Sequence, residues 1–94
     1  MKTSILTLVL LAAAGSVDAK SCKKGGFYCG QSLLNRGNYD AHIRETLKDN
    51  KQPTDQAHIL NSRFRCDAGG DITFLAYCSR GCSGVGSSDD DYCL

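Results

Sequence analysis

The chain has 94 residues, 11 Lys and Arg against 10 Asp and Glu, and six cysteines. That length suits one small domain. A formal charge of +1 supplies no strong field to gather nucleic acid. The sequence also lacks the Gly-rich phosphate loop and the repeated strand–helix units of a nucleotide-binding crossover fold.

Residues 1–19 read as a secretory signal: a basic start at Lys2, an apolar stretch from Ile5 to Ala14, then small residues ending at Val17-Asp18-Ala19. The apolar stretch falls well short of the ~20 residues that span a bilayer, so no stable membrane anchor is expected. Cleavage after Ala19 would leave residues 20–94 as a single cysteine-rich domain; a cut after Ala14 also fits the pattern. Cys22, Cys29, Cys66, Cys78, Cys82 and Cys93 all lie in that part. An exported chain of this size with an even cysteine count is expected to carry three disulfides and to be extracellular. Such a chain buries only about 60% of its unfolded surface, so the bridges should decide whether it folds. A zinc site would need a Cys-x-x-Cys pair, and Cys78-x-x-x-Cys82 stands alone; no metal or other cofactor is expected.

In chain order, Lys20 to Gly26 reads as an exposed basic arm pinned by Cys22. Phe27 to Leu34 is open to strand or helical turn, Phe27-Tyr28 favouring the first and Gln31 to Leu34 leaning to the second. Asn38 can cap a helix over residues 39–50, where Tyr39, Ile43 and Leu47 recur along one face. Asp40 and the pair Lys48 and Lys51 complement its dipole, and Pro53 would stop it. Alternation of Leu60, Phe64 and Cys66 with Ile59, Asn61, Arg63 and Arg65 predicts a strand over Ala57 to Cys66. Asp67-Ala68-Gly69-Gly70 is a turn, and Ile72 to Cys78 reads as the second strand of an antiparallel hairpin. Arg80 to Leu94 lacks periodicity and should be irregular, its Asp89-Asp90-Asp91 run a solvated acidic tail rather than a calcium loop. The expected fold class is therefore α+β, one helix packed on a short antiparallel sheet and stapled by disulfides.

The hairpin sets Cys66 opposite Asp71 and Cys78 opposite Ile59, which disfavours a Cys66–Cys78 bond. Fifteen connectivities remain formally open. Closure of the tail by Cys82–Cys93 is the economical choice, leaving Cys29–Cys66 and Cys22–Cys78.

Three constellations could carry function. Outward parity of the hairpin would put Arg63, Arg65, Thr73, Leu75 and Tyr77 on one sheet face, with Arg80 nearby, and Arg and Tyr are frequent interface anchors. His42, His58 and Glu45 would supply the acid and base of a small secreted ribonuclease. Lys20, Lys23 and Lys24 could touch an anionic membrane, as in an antimicrobial toxin. A Gly-x-Ser-x-Gly elbow and a His-Glu-x-x-His pair are both missing.

The segments Gly26-Phe27-Tyr28-Cys29-Gly30, Leu33-Leu34, Gly37-Asn38-Tyr39 with Ile43, and Gln52-Pro53-Thr54 resemble a group of small secreted cysteine-rich proteins of filamentous fungi. So do Phe64-Arg65-Cys66, Gly69-Gly70-Asp71-Ile72, Tyr77-Cys78, Gly81-Cys82 and the Ser88 to Cys93 segment. The group comprises candidate effectors of plant-associated fungi. The resemblance brings no catalytic residues with it, and the overall expectation is a monomeric, non-enzymatic protein that binds a host or extracellular protein.

Overall fold

The computed structural model describes residues 21–94; the expected leader and Lys20 lie outside the described residues. The chain forms β1 (Phe27–Cys29), α1 (Gly30–Arg36), α2 (Asp40–Asp49), α3 (Gln56–Asn61), β2 (Ser62–Cys66), β3 (Ile72–Tyr77), β4 (Cys82–Ser83) and β5 (Tyr92–Cys93). An antiparallel sheet runs in the order β1-β2-β3, and β4 pairs with β5 in a second, smaller one. The α+β class is as expected, but among the described residues three α-helices stand where one was foreseen.

The region that read ambiguously as strand or helix is both, β1 passing directly into α1. In α2 the expected face is buried: Tyr39, Ile43 and Leu47 join Leu33, Ile59, Phe64, Ile72 and the Cys22–Cys66 bridge in one core. Asn38 does not cap this helix. Tyr39 takes that position without a side-chain cap, its hydroxyl instead accepting from the Cys22 N–H (3.0 Å) and donating to the Gly70 carbonyl (3.1 Å). The helix ends before Pro53, because Lys51 turns left-handed (φ 59°) and Gln52 N–H closes back on the Leu47 carbonyl.

Residues 56–61 are helical rather than the first half of a strand. The Asp55 carboxylate accepts from the His58 N–H at 2.8 Å, an N-cap that starts a turn of helix where alternation alone suggested extension. The helix brings Ile59 into the core and its backbone against Gly30; a Cβ on Gly30 would overlap the Ile59 carbonyl. Only a glycine allows α1 and α3 to meet this closely.

The hairpin turn contains Gly69 and Gly70 at positive φ, and Cys66 faces Ile72, one residue later than expected. A register shift between Arg63 and Phe64 then leaves Leu75 as an extra residue, so Arg63 opposes Ala76 and Ser62 opposes Tyr77. The Cys78 N–H donates to the Asn61 carbonyl, so Cys78 does not lie opposite Ile59.

The three disulfides are Cys22–Cys66, Cys29–Cys82 and Cys78–Cys93. Cys66 and Cys78 are unbonded to each other, as the hairpin requires. All three favoured pairings are corrected. Cys82 and Cys93 do face each other across β4 and β5, yet each bonds outward, to the end of β1 and to the end of β3. Shortness of loop governs the unfolded chain, whereas the bond goes to whichever sulfur the folded backbone brings close. The tail is thereby fastened at two points rather than closed on itself.

Candidate functional site

The four residues foreseen as a binding face do not all lie on one side of the sheet. Arg63 places its guanidinium 4.5 Å above the Phe27 ring and donates from Nε to the Asp91 carbonyl at 3.0 Å. Arg65 is exposed and binds Asp67 (3.0 Å) and Thr73 Oγ1 (3.4 Å). Opposed residues share a face, so Arg63, Ala76, Arg65 and Thr73 lie on one side of the hairpin and Ser62 and Tyr77 on the other. The bulge has reversed the parity of Tyr77 relative to Arg65. Tyr77 stacks on His58 with ring centroids 3.8 Å apart. Arg80 is exposed in the turn after β3.

The two histidines are also apart. His42 Nε2 lies 3.0 Å from Asp71, just before β3 begins, while His58 stacks on Tyr77, where β3 ends. Six residues of extended chain separate those contacts by about 20 Å. Glu45 shares a cleft with His42, not with His58. His58 Nδ1 is held by Asp55 at 2.8 Å. The Asp55 carboxyl is kept below the usual carboxylate range chiefly by its hydrogen bond from the His58 backbone, and Asp67 by those from Thr73 and then Arg65. Both are structural ties.

The acidic run is not a solvated tail. Asp91 is buried at 4% exposure. Its Oδ2 accepts from the Cys29 N–H (2.8 Å) and the Ser32 hydroxyl (2.6 Å), at the start of α1 where a helix favours negative charge. Its N–H donates to the Phe27 carbonyl (3.0 Å), and Asp90 Oδ1 accepts from the Phe27 N–H (3.1 Å). The loop from Val85 to Asp91 is thus clamped along β1, and it forms one wall of a groove of about 500 Å³.

Lys23 and Lys24, both exposed, line the same groove, as do Phe27 and Tyr28, neighbours in β1 whose side chains leave opposite faces of the sheet. The segment carrying the lysines is not a free arm. Cys22 is bonded to Cys66, Gly25 and Gly26 exchange backbone hydrogen bonds with Cys66, and Lys23 N–H donates to the Tyr28 hydroxyl at 2.9 Å. Arg36 closes one end, 5.5 Å over the Tyr28 ring and 3.1 Å from the Ser21 carbonyl. The groove thus gathers cationic, aromatic and anionic residues, suited to a ligand with apolar and charged groups.

The Phe27-Tyr28-Cys29 segment and the acidic run are both visible in the sequence, but the backbone-to-carboxylate hydrogen bonds joining them cross 62 and 63 positions. No local pattern records them. Among the described residues no group of three or more His, Cys, Asp or Glu side chains could hold a metal ion, and no helix is long and apolar enough to cross a membrane. All six cysteines are bonded. No protein-family model, curated protein or solved structure matches this chain.

Proposed function

We propose that the protein is a secreted, fungal effector-like protein that acts by binding a host or extracellular protein and does not catalyse a reaction. The groove over Phe27 and Tyr28 carries this reading, because cationic, aromatic and anionic residues line it together. Tyr28 and Arg36, which line it, are of the residue types on which protein partners commonly anchor. Secretion is supported by the leader-like residues 1–19 and by the full oxidation of the six cysteines, which suits an oxidising compartment. Three bridges staple the domain around a small core, which suits an extracellular module. The resemblance to small secreted cysteine-rich fungal proteins supports the source and the role.

Affinity capture from host extracellular and cell extracts tests this. The oxidised protein should retain a partner that reduced and alkylated protein does not, and Lys23→Glu with Lys24→Glu should release it while leaving the fold intact. Equal retention by the reduced protein, or by the charge-reversed one, removes the groove from the proposal. RNA cleavage abolished by His42→Ala would replace the binding role by an enzymatic one, and salt-sensitive leakage of anionic vesicles by a membrane-active one.

A further inference from the structure

The two outer edges of the three-stranded sheet are treated differently. On β1, the outward N–H groups of Phe27 and Cys29 are taken by the Asp90 and Asp91 carboxylates, and the Phe27 carbonyl by the Asp91 N–H. A further strand has nothing there to bind. On β3 the edge is open. Cys66 directs its N–H and carbonyl to Gly26 and Gly25, on the β1 side. Successive residues of a strand direct these groups to opposite sides, so Arg65 faces Thr73, and Ile72 and Phe74 turn theirs away from β2. The Ile72 N–H is bound by its neighbour Asp71 at 3.0 Å. The Ile72 carbonyl and both Phe74 groups meet no strand among the described residues. The strand, Ile-Thr-Phe-Leu-Ala-Tyr, contains neither a charge nor a proline, two devices that commonly blunt an exposed edge.

We propose that this edge accepts an added strand from a partner, an extended segment with Lys or Arg at alternate positions. An open cleft of about 350 Å³ separates the edge from α2, with Ile72 to Phe74 on one side and Glu45 and Asp49 on the other. Both carboxylates are exposed and form no ion pair among the described residues, and neither Lys nor Arg lines the cleft. Asp71 and His42, paired at 3.0 Å, stand alongside.

The spacing fits as well as the sign. Side chains on one face of a strand recur about every 6.8 Å, and Glu45 and Asp49, four residues apart on a helix, are separated by about 6 Å along its axis. Two alternate basic side chains of an added strand therefore meet the two carboxylates while its backbone bonds to Phe74, the mode of recognition known as β-augmentation. A second copy of this chain is the poorer occupant. Pairing β3 with β3 would bring two such acidic walls together, and its strand offers no cation in exchange. This edge is distinct from the groove over Phe27 and Tyr28, and its fate is independent of that groove's.

A backbone-amide NMR titration of the disulfide-bonded protein with a seven-residue peptide of alternating lysine and valine tests the proposal. Shifts should concentrate at Ile72 to Phe74 and on α2, binding should weaken with salt, and Glu45→Lys with Asp49→Lys should weaken it about tenfold or more. Those two positions are exposed, so the double variant should keep the wild-type spectrum elsewhere. The same peptide with its central valine replaced by proline keeps the charge but breaks the ladder, and should bind at least about tenfold more weakly. Equal binding of the two peptides, shifts confined to the Asp89–Asp90 loop, no binding at all, or a β3-mediated dimer of the free protein would each overturn the proposal.

Discussion

Asp91 is the residue on which the tail depends. One carboxylate oxygen serves the Cys29 N–H and the Ser32 hydroxyl while the backbone on either side of it binds Phe27 and Arg63. Asp91→Ala orphans a buried N–H, and should lower unfolding stability by about 1–3 kcal/mol in urea denaturation, with faster amide exchange along residues 85–91. Ser62 is the converse case. It is fully buried, and its hydroxyl finds no partner among the described residues. Ser62→Ala should raise stability by about 1 kcal/mol, because it removes a desolvated polar group that gains nothing in return. Both residues look unremarkable in the sequence: an aspartate in a run of three, and a serine before an arginine. Their weight comes from partners, or the lack of them, supplied by other elements.

At the scale of elements, the meeting of α1 with α3 rests on Gly30. Gly30→Ala must push the Ile59 backbone away, and should cost about 1–3 kcal/mol or more by overpacking, with the largest amide shifts in α1 and α3. The start of α3 and the hairpin also carry the acid sensitivity of the fold. Asp55 and Asp67 both titrate below the ordinary Asp value of about 3.9 in the folded state. Their contribution is therefore complete above the unfolded pKa and lost as pH falls through the lower, folded one. Stability should decline below about pH 4, and the decline should be shallower in Asp55→Asn with Asp67→Asn, since Asn still caps a helix but does not titrate. An unchanged acid limb would exclude these two carboxylates as its source.

The α2 helix was legible because its signal is repeated and local: three apolar residues at fourfold spacing, an acid at one end and a lysine at the other. The 56–61 segment misled because six residues are too few for helical periodicity to stand out, and the Asp55 cap is a single contact. The bulge at Leu75 left no local mark, yet it sends Tyr77 to the face opposite Arg65. One inserted residue was enough to dissolve the sheet face that strict alternation assembled.

For the whole molecule, disulfides connect every part. Cys22–Cys66 ties the amino-terminal segment to β2, Cys29–Cys82 ties β1 to β4, and Cys78–Cys93 ties the end of β3 to β5. The bonded positions are 44, 53 and 15 residues apart. On the loop-entropy model these constrain the unfolded chain by about 4, 4 and 3 kcal/mol. Removing Cys29–Cys82 by paired alanine substitution should therefore lower Tm more than removing Cys78–Cys93, a ranking that thermal denaturation reads directly. The Cys22–Cys66 bridge also anchors the segment that carries Lys23 and Lys24, so its loss should weaken partner capture as well as folding.

Composition, the six cysteines and the periodicity of α2 were sufficient for a small α+β domain with three disulfides and a β2–β3 hairpin, because each is a local or countable property of the chain. The cysteine pairing, the groove and the contrast between a capped β1 edge and an open β3 edge belong to the tertiary structure alone. Each depends on groups dozens of residues apart arriving within a few ångströms of one another, and local spacing does not encode that distance.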